Sequence, residues 1–220
     1  MKLTRFAQSC LLIETKGKKI LVDPGDIFFD ESLLPEYWNN IDVLLVTHKH
    51  SDHCYVPAIQ EIMKNPQTKF YSTAEVAEKR PELHPDIIKV WDIFQFDEIT
   101  IKVVPAVHGF LPHLKWWNEI FESVGYTIDD GEKKLYIVWD SLCFSTEETC
   151  DILFVPVCNH WLVMWPFDAA RFAQQVQAKL VIPCHYENLV YPIALSVVEE
   201  EFKKQNISYR ILERKGSIEI

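Results

Sequence analysis

The chain has 220 residues, 48% of them hydrophobic, which is enough for one large domain or two small ones with a substantial core. Its formal net charge is -10, from 22 Lys+Arg against 32 Asp+Glu, so a basic face for a long nucleic acid is lacking and a nucleic-acid partner is disfavoured. No apolar run has the length of a membrane span, and the first residues contain no apolar export signal, so we expect no membrane partner.

The predicted elements begin with short strands. Residues 2–6, 10–14 and 19–23 have the character of short strands and predict a β-meander, with a hairpin turn at Lys16-Gly17-Lys18. The run Ile41–Val46 is almost continuously apolar, which is typical of a strand buried on both faces.

The rest of the chain alternates predicted helices and strands. Helices are expected near 56–64, 168–177 and 196–204, and strands over 69–72, 87–91, 100–106, 125–128, 134–139, 152–155, 180–183, 209–212 and 217–220. We find no repeat, no low-complexity tract and no Gly- or Ser-rich linker. The simplest prediction is a single domain over residues 1–220 with an α/β (α+β) layered core.

A histidine-rich loop follows the predicted strand Ile41–Val46. Within six residues it carries His48, His50, Asp52 and His53. Imidazole is the commonest neutral metal ligand, and a carboxylate among imidazoles suits a borderline ion such as zinc. Alternation lets the first two histidines aim at one point, while the adjacent Asp and His turn toward a second, so the spacing indicates two ions. A solvated polar loop is the alternative interpretation.

Further candidate ligands stand where apolar strands end. His108 follows 100–107, Asp140 follows 134–139 and His185 follows 180–184. A side chain at a strand tip is rigidly held and yet open to a cleft. A lone histidine at such a place is more often structural, but three such residues together with the histidine-rich loop favour a metal site.

With these residues in place, the sequence resembles the metallo-β-lactamase superfamily, whose HxHxDH signature is matched by His48, His50, Asp52 and His53. More narrowly, it is similar to the branch of small bacterial metal-dependent hydrolases that includes ascorbate-6-phosphate lactonase, both in its opening residues and over 156–185. The resemblance implies a four-layer αββα sandwich with the metals at one sheet edge.

The resemblance also implies how the ligands divide between two divalent ions. Zinc is the default and manganese the alternative, and a water or hydroxide activated by the ions is the implied nucleophile. Asp52 and Asp140 are the predicted catalytic carboxylates, because they can orient that water and the former could carry a proton to the leaving group. The implied ligands are His48, His50 and His108 for one ion, Asp52, His53 and His185 for the other, and Asp140 as the bridge.

Four further residues are weaker candidates for the second shell or for substrate contact. Asp23, in an Asp-Pro-Gly turn, either orients a ligand histidine or simply forms the turn. His160 either contacts the substrate or is a polar loop residue. The aromatic segment 109–117, with Trp116 and Trp117, predicts a substrate wall or, alternatively, the interface of a homo-oligomer.

The sequence departs from the family's pattern at two places. Trp139 stands before Asp140, where the family commonly has a small residue. Residues 156–161 are bulkier than the Gly-containing turn usual in this branch. Both departures predict a substrate of different shape.

The predicted function is a metal-dependent hydrolase acting on a small molecule with an ester-like bond, a lactone or phosphorylated sugar derivative being the class that the resemblance implies. A phosphodiesterase or nuclease is an alternative that the acidic composition disfavours. A non-hydrolytic metal-binding member is another, which the intact His48 and His50 pair disfavours. Six cysteines without CxxC pairs favour reduced thiols and a cytoplasmic location.

Overall fold

The structure is a computed structural model, and it describes residues 1–26, 38–109, 120–188 and 191–220. These residues form two compact units, Met1–Lys89 with Leu212–Ile220 and Val90–Ile211. Each unit contains one mixed β-sheet and its own helices. None of the helices in these ranges combines the length and the hydropathy that spanning a bilayer requires. The prediction of a single domain stays a prediction.

The first unit is built on a seven-stranded sheet. Its strands lie in the order β13-β1-β2-β3-β4-β5-β6, antiparallel from β13 to β3 and parallel from β3 to β6. The predicted hairpin turn joins β2 to β3, with Lys16 and Gly17 both at positive φ. The strands are β1 (Lys2–Arg5), β2 (Leu11–Thr15), β3 (Lys18–Val22), β4 (Val43–Leu45), β5 (Lys69–Ser72), β6 (Asp86–Ile87) and β13 (Gly216–Glu219).

Helices α1 (Val56–Ile62) and α2 (Ala74–Lys79) belong to this unit, with a 3-10 turn at Pro81–Leu83. An apolar cluster joins them to one face of the sheet, where Leu21 and Leu44 are neighbours in register. The residues one step along each strand, on the opposite face, are equally buried. The short strand β4 is therefore buried on both faces, as predicted, and gives a rigid base to the loop that follows it.

The second unit is built on a six-stranded sheet in the order β12-β11-β10-β9-β8-β7. Strands β7 to β10 pair with one another antiparallel, and β10, β11 and β12 pair parallel. Helices α3 (Pro166–Gln175) and α4 (Leu195–Lys204) pack on it through Phe172 and Phe202. The strands are β7 (Ile93–Phe96), β8 (Ile99–Pro105), β9 (Val124–Asp129), β10 (Lys134–Ile137), β11 (Ile152–Pro156) and β12 (Leu180–Cys184).

Two strand predictions are wrong. Of the predicted strand 87–91, only Ile87 belongs to a strand, β6 (Asp86–Ile87), and Trp91 at its end adopts φ 78, which is not an extended conformation. The predicted strand 209–212 is reduced to one isolated bridge between Tyr209 and Val181. Helix α2 and strand β7 were not predicted. The residues of β7 alternate between exposed and half-buried.

Candidate metal centre

The histidine-rich loop of the first unit folds back on itself directly after β4. The backbone N–H groups of His53 and Cys54 both donate to the carbonyl of His50, at 3.0 and 2.8 Å. Gly25 lies so close to this loop that a Cβ there would come within 1.8 Å of the carbonyl oxygen of Asp52. The Asp-Pro-Gly turn therefore needs its glycine for close approach to a predicted ligand.

Asp23 is fully buried and links two of the predicted ligands. Its Oδ1 accepts the backbone N–H of Thr47 at 2.8 Å, and its Oδ2 accepts the Thr47 hydroxyl at 2.6 Å and lies 2.7 Å from Nδ1 of His53. The Thr47 hydroxyl has one proton, which it donates in its hydrogen bond to Asp23. Its oxygen can therefore only accept the second hydrogen bond, from Nδ1 of His48 at 3.0 Å. Both histidines then carry their proton on Nδ1 and have a lone pair on Nε2.

The buried carboxyl of Asp23 is also electrostatically unusual. Burial raises its pKa above the ordinary value, while His53 and the hydrogen bonds from Thr47 act in the opposite direction. A carboxyl so placed is stabilised as an anion only by the groups that it orients.

The ligand atoms of this loop stand at distances that suit a shared ion. Nε2 of His48 lies 3.1 Å from Nδ1 of His50, and Nε2 of His53 lies 3.7 Å from Oδ2 of Asp52. Two ligand atoms bound about 2.1 Å from a tetrahedral ion are separated by about 3.4 Å. Both pairs are close to that separation, and they are the pairs that the spacing of the motif predicts.

Two residues that the sequence did not signal also contact the loop. Gln8, buried and at φ 50, donates from Nε2 to Oδ2 of Asp52 at 3.3 Å. Lys49, between the first two histidines, forms an ion pair of 2.6 Å with Glu75 in the first turn of α2. Neither belongs to a motif, because each contact depends on how distant segments pack.

The second unit brings together the other three predicted ligands. Oδ2 of Asp140 lies 3.6 Å from Nε2 of His108 and 3.3 Å from Nε2 of His185. One carboxylate oxygen thus lies near two histidines, at separations that again suit ligands of an ion. Each residue follows the end of a strand, β8, β10 or β12, as the sequence predicts.

Ser141 ties two of these strand ends together. Its buried hydroxyl accepts the backbone N–H of Val107 at 2.9 Å and donates to the carbonyl of Leu142 at 2.8 Å. The N–H of Leu142 donates in turn to the carbonyl of Val107 at 2.8 Å. The segments carrying His108 and Asp140 are therefore held in one register.

The backbone is strained at one of these ligands and directly before another. Trp139 adopts φ 37 and His185 adopts φ 64, which non-glycine residues rarely do and which recurs at functional sites. The bulky Trp139 is fully buried, with its ring edge-on to Phe154 at 5.1 Å between centroids. The core accommodates the departure from a small residue before Asp140.

His160 lies in a loop between the two ligand-bearing histidine segments of this unit. The N–H of Val157 donates to the carbonyl of Cys184 at 2.9 Å, and the N–H of Gly109 donates to the carbonyl of Leu162 at 3.0 Å. The His160 ring stacks on Tyr191 with centroids 3.9 Å apart. These contacts place the loop beside both segments without assigning His160 a ligand role.

The cysteine beside His160 is a buried thiol. Burial raises the pKa of the Cys158 thiol to about 11, so that it stays protonated at neutral pH. Burial likewise raises the pKa of Cys54, next to His53, to about 12. The predicted ligands of the two units are imidazole nitrogens and carboxylate oxygens, a set that fits zinc or manganese.

Each unit thus gathers its own predicted site residues. Trp116 and Trp117, and with them most of the aromatic segment 109–117, lie outside the described residues. The first unit gathers Asp23, His48, His50, Asp52 and His53, and the second His108, Asp140 and His185.

Comparison with known proteins places this architecture. Residues 2–185 match the family described as a beta-lactamase superfamily domain. The chain is similar to a UPF0173 metal-dependent hydrolase of Anoxybacillus flavithermus, with 31% identity over 206 residues, covering 84% of this chain and 86% of the relative.

Two solved structures share the fold. The metallo-beta-lactamase fold protein YhfI from Bacillus subtilis superposes with a TM-score of 0.78 at 17% identity, covering 99% of this chain and 98% of that one. An isothiocyanate hydrolase from Delia radicum gut bacteria gives a TM-score of 0.79 at 19% identity, covering 100% and 99%.

The two sheets with their helices and the His/Asp clusters define a metal-dependent hydrolase of the metallo-β-lactamase fold. The chain belongs to the β-lactamase superfamily, whose domain it matches over residues 2–185. The predicted fold class and the prediction of a metal-dependent hydrolase are confirmed.

Proposed function

We propose that this protein hydrolyses an ester-like bond of a small molecule at a centre of two divalent ions. Zinc is the proposed metal and manganese the alternative. A lactone or a phosphorylated sugar derivative is the proposed substrate, in line with the resemblance to ascorbate-6-phosphate lactonase. The proposed ligands are His48, His50 and His108 for one ion, Asp52, His53 and His185 for the other, and Asp140 as the bridge.

The observation that carries the proposal is the network around Asp23. A buried carboxylate that fixes the Nδ1–H form of His53, and through Thr47 that of His48, places the lone pair of each ring on Nε2. Ordinary core histidines do not need such a pair of fixed tautomers. Metal ligands do, because only a deprotonated ring nitrogen binds a cation.

The donors within each unit also support the proposal. His48 and His50 give two nitrogens at a separation that suits ligands of one ion. In the second unit, Oδ2 of Asp140 lies 3.6 Å from Nε2 of His108 and 3.3 Å from Nε2 of His185, which again suits ligands of an ion.

When bound, two divalent ions supply Lewis acidity and lower the pKa of water toward about 7. The chain's own residues do the rest. Asp52, whose side chain is 19% exposed and held by Gln8, is placed to accept a proton from the attacking water and pass it to the leaving group. Asp23 keeps His53 oriented throughout, and the Lys49–Glu75 ion pair fixes the backbone between His48 and His50.

We also propose a cytoplasmic location. None of the six cysteines forms a disulfide, and five of them are buried. Reduced, buried thiols suit a reducing compartment.

The test is to load the metal-free protein with zinc or manganese and to measure metal content and hydrolysis. Lactones, phosphodiesters, thioesters, β-lactams and isothiocyanates form the panel. We expect about two ions per chain, and hydrolysis of a lactone above the rest. His50→Ala and His185→Ala, one in each unit, should each lower the metal content and abolish turnover. If His50→Ala hydrolyses the best substrate as fast as the parent protein, the site assignment is wrong.

A further inference from the structure

We propose that Val107 and Trp161, which we call the apolar rim, bind an uncharged apolar group of the substrate. The inference rests on the proposed function and narrows its substrate class. It favours a lactone or similar ester with an aromatic or aliphatic substituent over a phosphorylated sugar derivative.

The backbone places both residues beside a predicted ligand of the second unit. Val107 immediately precedes His108 in the chain. Trp161 packs against Gly109, where a Cβ would come within 1.9 Å of the Trp161 carbonyl oxygen. A side chain at position 109 is thereby excluded, and the loop that carries Trp161 lies directly against the segment that carries His108.

The same loop is also fastened on the side of His185. Val157 donates to the carbonyl of Cys184 at 2.9 Å, and Cys158 donates to the carbonyl of Met164 at 3.1 Å. The position of Trp161 is thus fixed relative to two candidate ligands by hydrogen bonds of the main chain.

The rim side chains are nevertheless left to solvent. Trp161 is 71% exposed and Val107 is 45% exposed. When a ligand covers large apolar side chains that a rigid backbone holds in water, the burial of apolar surface favours binding. Tryptophan gives much contact area for little loss of side-chain freedom. Their position beside His108 makes the substrate the occupant that fits.

The charges of the segment that carries Trp161 favour an uncharged group over a phosphate. The described residues 138–170 contain no lysine or arginine. The N-terminus of α3 carries Asp168 in its first turn, which repels an anion. Phosphate groups are normally held by arginine, lysine or an unencumbered helix N-terminus.

The test compares three γ-lactones on the zinc-loaded protein: one with a phenyl group, one unsubstituted and one with a phosphomonoester. We expect the parent to prefer the phenyl lactone. Trp161→Ala should raise KM for the phenyl lactone about ten-fold, with kcat and the unsubstituted lactone little changed, and Trp161→Phe should restore it. The matched control is Trp91→Ala, since Trp91 is also exposed in this unit but lies under the amine of Lys102.

The opposite results are equally clear. Equal KM values for the parent and Trp161→Ala, or a preference for the phosphorylated lactone, would overturn the proposal. So would a loss of self-association in Trp161→Ala by sedimentation, because the rim would then be a contact between copies. If the parent hydrolyses none of the lactones, the proposed function fails, and equilibrium dialysis of the phenyl lactone still decides on the rim: binding lost only in Trp161→Ala supports it, and equal binding refutes it.

Discussion

Oδ2 of Asp23 lies 2.7 Å from Nδ1 of His53, and both side chains are fully buried. The contact joins the turn after β3 to the last residue of the HxHxDH motif. It also shows why the motif depends on the distant Asp23: a buried imidazole has two neutral tautomers, and only the one with its proton on Nδ1 has a lone pair on Nε2 for a metal.

Asp23→Asn should weaken metal binding. The amide would offer Thr47 and His53 a donor as well as an acceptor, so the Nδ1–H tautomers would no longer be fixed. We expect a loss of metal affinity of about 10- to 100-fold, measured by competition with a chelator. Asp26→Asn is the matched control, because Asp26 is exposed in the same turn. Equal affinities in the two variants would remove Asp23 from the metal centre.

Gln8→Met should lower kcat and leave KM and stability nearly unchanged. Its Nε2 is the donor to Asp52 at 3.3 Å, whereas its Oε1 has no hydrogen-bond partner in the described part of the chain. Methionine fills a similar volume, so the variant loses one bond to a charged group without leaving a buried polar atom behind. The expected decrease in kcat is about three- to ten-fold.

Gln95→Met is the control for this substitution, since Gln95 makes an exposed side-chain bond of 2.8 Å to Thr100 in β8. Steady-state kinetics of the two variants side by side is the measurement. A change in KM alone, with kcat intact, would argue that Gln8 does not act through Asp52.

Gly25→Ala should disturb the metal loop far more than its small size suggests. The added Cβ would meet the main chain of Asp52 at 1.8 Å, so the loop or the turn has to move. We expect a loss of bound metal together with a decrease in unfolding free energy of about 2 kcal/mol.

Gly131→Ala separates this effect from ordinary backbone strain. Gly131 has φ 82 and open space around its Cβ position, so alanine there should cost about 1 kcal/mol and leave the metal content unchanged. Metal analysis and urea unfolding of both variants make the comparison. Full metal occupancy in Gly25→Ala would show that the close approach is dispensable.

Local patterns predicted most of the fold, and they failed where pairing decides the outcome. The run 41–46 gave β4 because its continuous apolar character reflects burial on both faces. Residues 209–212 have the composition of a strand, yet only Tyr209 finds a partner, and composition does not report whether a sheet edge is available. Trp91, inside another predicted strand, takes a left-handed conformation that no propensity indicates.

The candidate site divides in the same way. The HxHxDH loop is contiguous, so its spacing alone indicated a metal site, and His108, Asp140 and His185 were found because each follows an apolar strand. Gln8 and Ser141 carry no such signal. Their contacts arise when a turn or a loop packs against a ligand-bearing segment, and a residue type as common as glutamine or serine does not announce this in the sequence.

The last prediction concerns stability in the second unit, away from the metal ligands. Glu148 accepts a hydrogen bond from Lys102 and another, at 3.2 Å, from Lys134. Burial by itself raises the pKa of this carboxyl, but the two lysines outweigh it and hold the pKa below the ordinary value. Because the folded-state pKa is the lower one, the ion pairs stabilise the protein above the unfolded-state pKa of about 4.3, and this contribution is lost as the pH falls through the folded-state pKa.

Urea unfolding should therefore show Glu148→Gln about 1 kcal/mol less stable than the parent at pH 7, and the difference should close in acid, while exposed Glu147→Gln shows no difference at either pH. A gap between parent and Glu148→Gln that persists unchanged below pH 3 would mean that packing, rather than charge, is what Glu148 contributes.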